Sequence, residues 1–232
     1  GGRSSYESVR LALRLAVRGL IDGLVTAPVS KESWRLAGVA HLDQTELIRA
    51  ETGARRTGMM LAAGSLRAVL VTRHLPFARV PSALTPAAIE DAAAAADEAL
   101  RGALGIRRPL LGLCALNPHA GENGLLGSEE RVRLRPALRR LRRRGFSIEG
   151  PIPADAAWAA HVGGRFDALL SLYHDQALIP LKTIARYAVV NWTIGAPVLR
   201  TAPGHGTAYD IAGRGRADPA GMIAAALFAA RV

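Results

Sequence analysis

The sequence predicts an α/β fold with a largely parallel β-sheet. Short apolar segments typical of buried strands alternate along the chain with longer segments of helical periodicity. Glycine and proline residues mark many of the boundaries between these segments. With 232 residues, of which 50% are hydrophobic, the chain is long enough to bury a core in one large or two modest domains.

In the first half of the chain, start and stop signals define the elements. Ser4 and Glu7 have the spacing of a capping box, and the helix that follows them is expected to end near Asp22-Gly23. The later elements are a strand at 24–26, helices at 31–37 and 43–52, a hairpin with strands at 59–62 and 66–72, and a helix from Thr85-Pro86 to Gly105.

The second half of the chain continues the alternation of strands and helices. Its expected elements are strands at 109–116, 167–173 and 188–194, a basic helix that Ser128 caps and that reaches Gly145, and a closing helix at 219–231.

The chain is strongly basic, with a formal net charge of +11. The densest run of arginines covers residues 139–144, and such a run could neutralise nucleic-acid phosphates or form the solvated face of a helix. Neither interleaved aromatic residues, zinc-finger spacing nor an RNA-binding signature accompanies it, which favours the solvated face. The lone Cys114 indicates a reducing compartment and hence a cytoplasmic location, and no apolar run is long enough to predict a membrane span.

Three histidines follow apolar strands at the point where each strand ends: His74, His119 and His174. Because the carboxyl ends of parallel strands meet at one edge of a sheet, these residues could form a nitrogen ligand set for a divalent ion. The alternative is that each is an ordinary histidine at the end of a strand. His41 and His161 have no such setting and are expected at the surface.

Two charged residues follow the third of these strands. Asp175 lies next to His174, where it could orient the imidazole or merely cap a turn. Lys182 is one of two lysines among thirty basic residues and lies in an apolar stretch. Its ammonium suits an anionic substrate or proton transfer, although chance placement is an open alternative. Neither a Rossmann glycine fingerprint, a Walker A motif nor a serine nucleophile elbow is present, so a nucleotide cofactor would need another architecture.

Several motifs, in this order, resemble those of the 4-hydroxythreonine-4-phosphate dehydrogenase family of pyridoxal phosphate biosynthesis. The resemblance runs from about residue 5 to the end of the chain. The matching segments are Thr26-Ala-Pro-Val-Ser-Lys31, Thr72-Arg-His74, Asn117-Pro-His-Ala-Gly-Glu122, Tyr173-His-Asp-Gln176 with Lys182, Asn191 through Arg200 to Gly204-His-Gly-Thr207, and Asp210 to Asp218.

This resemblance implies a three-layer α/β/α fold like that of isocitrate and isopropylmalate dehydrogenases. We expect one dehydrogenase unit over 1–232, with a central subdomain at 24–150 and a second that combines 1–23 with 151–232 on the cofactor side. The resemblance further implies a homodimer with its active site at the subunit interface, and an alcohol oxidation with NAD or NADP followed by decarboxylation.

The resemblance also assigns the site residues. It implies a divalent metal (Zn, Mg, Mn or Co) held by His74, His119 and His174, with His174 supplied by the partner subunit. Lys182, Asn191 and Arg200 are implied to contact an anionic substrate, and we expect catalytic roles for Lys182 and Asp175. No residue is assigned to the nicotinamide cofactor.

Two departures from the family pattern affect these expectations. The family usually has Gly-His-Thr-Glu where this chain has Asp43-Gln44-Thr45-Glu46, so Gln44 and Thr45 are expected to bind the substrate without a positive charge from a histidine. A sugar-acid phosphate or a non-phosphorylated cyclic diol is therefore an alternative substrate. The family's opening strand also does not occur in the sequence, so we expect an N-terminally truncated chain that binds NAD weakly. An alternative of another class is a non-catalytic, basic nucleic-acid-binding protein.

Overall fold

The computed structural model describes residues 1–41 and 43–232. The chain divides into two compact units, one formed by Gly1–Thr57 with Ala185–Val232 and the other by Gly58–Ile184. The first unit is therefore discontinuous in sequence. These boundaries differ from the subdomain of residues 24–150 that we expected.

Helices and strands alternate along most of the chain. The helices are α1 (Gly2–Val17), α2 (Lys31–Leu36), α3 (Gln44–Thr52), α4 (Val80–Ala83), α5 (Pro86–Gly102), α6 (Arg135–Arg143), α7 (Ala154–Val162), α8 (His174–Ala185) and α9 (Ala220–Ala229). The strands are β1 (Gly23–Val25), β2 (Gly58–Ala63), β3 (Leu66–Leu70), β4 (Leu111–Cys114), β5 (Ile148–Ile152), β6 (Ala168–Ser171), β7 (Val190–Ile194) and β8 (Leu199–Pro203).

The first unit contains the strand order β1-β8-β7, with β1 parallel and β7 antiparallel to β8. Helix α9 packs on this group of strands, and the Thr201 hydroxyl of β8 donates to the carbonyl of Ala225 at 2.9 Å. A core cluster joins α1, α2 and α3 to β1, and it consists of Val9, Leu13, Leu24, Trp34, Leu47, Ile48 and Val198. This core fixes the end of β1, which Thr26 follows, and the start of α3, which carries Gln44 and Thr45.

The second unit contains the strand order β2-β3-β6-β4-β5. Strands β3, β6, β4 and β5 are parallel, and β2 pairs with β3 as the antiparallel hairpin that the sequence predicted. The carboxyl ends of β3, β4 and β6 therefore lie at one edge, which is where ligands bind in parallel sheets. The predicted α/β class with a mostly parallel sheet is confirmed.

Several element predictions were wrong or incomplete. Helix α1 begins at Gly2, so Ser4 lies inside it and no side chain caps its start. Ser128 does not cap the basic helix through its side chain; a π-helical turn over Glu130–Leu134 leads into α6 instead. The sequence analysis also missed some helices and strands entirely, namely α4, β5, α7, α8 and β8.

His161 is buried, at 2% exposure, whereas we expected a surface residue. It lies on α7, where its Nε2 accepts a hydrogen bond from the backbone N–H of Arg67 at 2.9 Å and its Nδ1 contacts the carbonyl of Phe166 at 3.0 Å. These two contacts require a neutral imidazole with the proton on Nδ1. Burial lowers the pKa of His161, in agreement with this assignment.

The arginine run lies on α6 and forms a solvated face. Ala137, Leu138 and Leu141 are the buried residues of this helix, whereas the arginines are exposed. Arg140 and Arg144 both form ion pairs with Glu90, at 3.2 and 3.4 Å. None of the helices in the described ranges combines the length and apolar character that crossing a bilayer requires.

Candidate active site

His74 and His174 lie next to each other at the carboxyl ends of two adjacent parallel strands. His74 follows β3, and His174 is the first residue of α8, which follows β6. Their ring centroids are 5.6 Å apart with an interplanar angle of 48°. Both rings line a pocket of about 300 Å³ together with Phe77, Tyr173 and Asp175. The sheet therefore brings together two of the three predicted metal ligands.

Asp175 contacts the Nδ1 atom of the His174 ring. Its Oδ1 lies 2.6 Å from His174 Nδ1, which places the Nδ1 proton between the two groups. The other ring nitrogen, Nε2, is then the basic one and the one suited to a metal ion. A histidine ligand with a carboxylate on its second nitrogen is a recurrent feature of metal sites, so the donor chemistry here fits a divalent cation.

His119 is not part of this pair. Across residues 1–41 and 43–232, no three or more His, Cys, Asp or Glu side chains are grouped closely enough to hold a metal ion. The convergence of all three histidines is therefore not found within a single chain. His174 also lies beside His74 of the same chain, whereas the resemblance implied that His174 comes from a partner.

His119 is exposed on a left-handed turn after β4. The five residues 119–123 all have positive φ, with values of 51°, 54°, 79°, 41° and 57°. Left-handed backbone costs a non-glycine residue about 1–2 kcal/mol. Of the five, only Gly121 adopts it without this penalty. Surrounding contacts must therefore stabilise the turn. One of them is the buried carboxylate of Glu130, which accepts hydrogen bonds from Leu116 and Asn117 just before the turn.

Arg200 is the centre of a buried polar cluster in the first unit. It lies on β8 and is 4% exposed. Its Nε and Nη2 both donate to Thr26 Oγ1, at 2.9 and 2.7 Å, and Nη2 also donates to Gln44 Oε1 at 3.0 Å. Nη1 donates to Thr193 Oγ1 at 3.2 Å. Burial lowers the pKa of Arg200 to about 10, although Asp43 opposes this shift.

Within residues 1–41 and 43–232, the acceptors around Arg200 are uncharged, and no direct ion pair cancels its positive charge. A guanidinium that is buried in this way is costly unless an anion joins it. Gln44 cannot rotate freely, because its Nε2 donates to the carbonyl of Ala27 at 3.0 Å. The cluster is therefore a fixed, electropositive arrangement that suits an anionic group.

The remaining predicted site residues lie in three different environments. Thr45 is buried on α3, beside Gln44. The Oδ1 atom of Asn191, on β7, is buried and has no hydrogen-bond partner in the part of the chain that the structure describes. Such an orphaned acceptor indicates a missing donor, which a ligand can supply. Lys182 is exposed on α8, seven residues after Asp175 and hence on the same face of the helix.

Sequence reasoning missed the roles of Thr26, Thr193 and Glu130. Thr193 lies directly opposite Arg200 in the β7–β8 pair, and Thr26 follows β1, which pairs with β8 at Arg200. Strand register brings these hydroxyls to the guanidinium, and no local motif reveals that register. Position 193 is two residues after Asn191, however, so the period of a strand could have placed both on one face.

Comparison with known proteins identifies the family. The family model described as pyridoxal phosphate biosynthetic protein PdxA matches residues 1–229. The chain belongs to the PdxA family. One PdxA relative, the 4-hydroxythreonine-4-phosphate dehydrogenase of Caulobacter vibrioides, is 46% identical over 230 residues, covering 97% of this chain and 69% of the relative.

Solved structures agree with the PdxA assignment. The 4-hydroxythreonine-4-phosphate dehydrogenase of Klebsiella pneumoniae has a TM-score of 0.91 and 36% identity, covering 99% of this chain and 70% of that one. A terephthalate 1,2-cis-dihydrodiol dehydrogenase from Burkholderia xenovorans has a TM-score of 0.73 and 34% identity, covering 98% and 72%. The expected isocitrate/isopropylmalate dehydrogenase-like fold is confirmed, and so is the expectation of an oxidoreductase of this family.

Proposed function

We propose that this chain is a divalent-metal-dependent NAD(P) dehydrogenase that oxidises the alcohol of a 4-phosphorylated hydroxy acid of the 4-hydroxythreonine 4-phosphate type, with subsequent decarboxylation. The observation that carries the proposal is the pair of His74 and His174 at the edge of the parallel strands, with Asp175 on the Nδ1 of His174. The PdxA relatives that are named 4-hydroxythreonine-4-phosphate dehydrogenase support the choice of substrate.

His74, His119 and His174 are the proposed metal ligands. A divalent cation (Zn, Mg, Mn or Co) bound there would supply Lewis acidity toward the hydroxyl and carboxylate oxygens of the substrate. Asp175 orients the His174 ring and holds the proton on Nδ1, which leaves Nε2 to bind the metal. Because one chain brings only His74 and His174 together, we propose a homodimer in which the partner subunit completes the ligand set.

Arg200 and its neighbours are the proposed anion-binding residues. The guanidinium is fixed by Thr26, Thr193 and Gln44, and its charge is available to a phosphate or carboxylate group. The buried Oδ1 of Asn191 can accept a hydrogen bond from a substrate hydroxyl or amine. Thr45, buried beside Gln44, is the remaining proposed substrate-binding residue.

Lys182 and Asp175 are the proposed catalytic residues. Oxidation of the alcohol removes a hydride from carbon, which NAD or NADP would accept, and a proton from oxygen. Lys182 is an exposed ammonium on the face of α8 that also carries Asp175, and its chemistry suits the transfer of that proton or contact with an anionic group. We further propose a cytoplasmic location, which the single cysteine supports.

A non-phosphorylated cyclic diol is the second candidate substrate. Gln44 supports it, because this residue carries no charge toward a phosphate. The cis-dihydrodiol dehydrogenase from Burkholderia xenovorans, at 34% identity, supports it as well.

Reduction of NAD and NADP by the whole protein tests these alternatives. The substrates are 4-hydroxythreonine 4-phosphate, a four-carbon sugar-acid phosphate and a cyclic cis-diol, each with metal-stripped protein and with added Zn²⁺, Mg²⁺, Mn²⁺ or Co²⁺. We expect metal-dependent reduction with the hydroxythreonine phosphate and the highest kcat/KM for it. A higher kcat/KM for the cyclic diol than for the hydroxythreonine phosphate would favour the second candidate substrate. Turnover without added metal would contradict the proposed metal site.

A further inference from the structure

The left-handed turn over residues 119–123 carries His119 and depends on a residue outside it. Four of its five residues are not glycine, so the turn is not the conformation that this sequence prefers by itself. Backbone hydrogen bonds close the two ends of the turn: Ala120 N–H donates to the carbonyl of Asn117 at 3.2 Å, Leu125 N–H to that of Glu122 at 3.2 Å, and Leu126 N–H to that of Gly121 at 3.1 Å. Other contacts must therefore select the observed conformation.

The buried carboxylate of Glu130 provides such contacts. Glu130 begins the π-helical turn and is 3% exposed. Its Oε1 accepts from the backbone N–H groups of Leu116 and Asn117, at 2.9 and 2.8 Å, and its Oε2 accepts from Asn117 Nδ2 at 3.0 Å. The amide of Asn117 also donates to Glu129 Oε2 at 2.9 Å. The residue that enters the turn is thus fixed through both its backbone and its side chain.

Two glycines bring the backbone close to these same side chains. A Cβ added at Gly121 would lie 2.7 Å from Glu130 Oε2, and φ there is +79°. A Cβ added at Gly127 would lie 2.4 Å from Asn117 Nδ2, and φ there is +128°. The path of the turn therefore follows the position of the Glu130 carboxylate closely, with no room for a side chain between them.

We propose that Glu130 is a positioning residue for the metal site, which fixes the direction of His119 by holding Leu116, Asn117 and Gly121 around a buried carboxylate. The metal-binding part of this inference depends on the proposed function. In the described part of the chain, the hydrogen bonds of the Glu130 carboxylate all come from N–H groups, so both of its oxygens are acceptors. A glutamine at this position would present an NH2 group to one of those donors, whereas a carboxylate satisfies them all.

The test compares Glu130→Gln with Glu98→Gln, the same change at an exposed position of α5. Hydrogen–deuterium exchange of residues 118–124 measures the turn itself, without metal. We expect faster exchange there in Glu130→Gln and unchanged exchange in the control. Equal protection of the turn in all three proteins would overturn the proposal. If Glu130→Gln does not fold, Gly121→Ala perturbs the same contact from the other side and should give the same result.

Titration with Co²⁺ alone, followed by its visible absorption, tests the effect on the site. We expect Glu130→Gln to weaken Co²⁺ binding about 10- to 100-fold. This effect should be nearly absent when His119→Ala is already present, because the two residues act through one ligand. An equal loss in both backgrounds would mean a merely structural role and would contradict the proposal. If wild-type protein and His119→Ala bind Co²⁺ equally, the metal assignment of His119 fails, and the exchange measurement alone decides whether Glu130 positions the turn.

Discussion

Gln44 Oε1 accepts a hydrogen bond from Arg200 Nη2 at 3.0 Å, across 156 residues of sequence. The same glutamine donates from Nε2 to the carbonyl of Ala27, so both ends of its amide are engaged. An uncharged residue thus orients a buried cation without neutralising it. This arrangement preserves the charge for an anionic ligand.

Gln44→Glu should weaken the binding of a phosphorylated substrate. A carboxylate at this position would form an ion pair with Arg200 and cancel the charge that we assign to the substrate. We expect KM to rise about tenfold or more, which corresponds to the loss of a hydrogen bond to a charged group. The measurement is the KM for 4-hydroxythreonine 4-phosphate, with Gln44→Met as the uncharged control and a smaller expected rise. Equal KM values for Gln44→Glu and wild type would contradict the assignment.

Asp175→Asn should reduce metal affinity, because an amide holds the His174 proton on Nδ1 less strongly than a carboxylate does. We expect Zn²⁺ to bind about 10- to 100-fold more weakly, as measured by competition with a chromophoric chelator. Asp155→Asn, an exposed position in the first turn of α7, is the matched control and should bind like wild type. Unchanged affinity in Asp175→Asn would show that the carboxylate does not tune the ligand.

Acidification should destabilise the second unit through His161. Burial lowers the pKa of this residue in the folded state, so below about pH 6.5 the unfolded chain binds more protons than the folded chain. Its contribution to the free energy of unfolding is therefore fully present above pH 6.5 and decreases as the pH falls toward the lowered value, by at most about 1.4 kcal/mol per pH unit. Urea unfolding of wild type and His161→Gln between pH 7 and 5 measures the difference. Parallel pH profiles of the two proteins would refute this role.

Cys114 should be inert in the folded protein. The thiol is buried on β4, and burial raises its pKa to about 12, so the reactive thiolate is scarce at pH 8. We expect an aromatic disulfide reagent to modify Cys114 only after unfolding in urea. Complete modification of the native protein at the rate of a free cysteine would contradict this expectation.

The sequence predicted those elements whose signals are local. Thr85-Pro86 starts α5, with Thr85 Oγ1 accepting from the N–H of Ala88, and Gly53 ends α3 in the left-handed conformation. Strand β5 escaped prediction because Gly150 and Pro151 interrupt its apolar pattern. Helix α8 was not predicted because Pro180 lies inside it and because the polar residues from His174 onward are typical of a loop after a strand.

The sequence predicted part of the site, namely the part that depends on where individual strands end. Parallel strands bring their carboxyl ends to one edge of a sheet, so strand assignment places His74 and His174 at the same edge. That these two are neighbours follows from the pairing of β3 with β6, and that His119 does not join them follows from the turn after β4. Thr193 and Glu130 could not be assigned in that way. Their roles depend on the register between β7 and β8 and on the path of the turn after β4, which emerge only when the elements pack.

The central claim is that His74 and His174 hold a catalytic metal ion. The most direct test is NADH formation from 4-hydroxythreonine 4-phosphate by the whole protein, stripped of metal and then titrated with Zn²⁺, Mn²⁺, Mg²⁺ or Co²⁺, in wild type, His74→Ala and His174→Ala. We predict that metal restores activity to the wild type and that neither variant recovers at the same metal concentration. Full activity of the metal-stripped wild type would contradict the claim. So would recovery of either variant to the activity of the wild type at the same metal concentration.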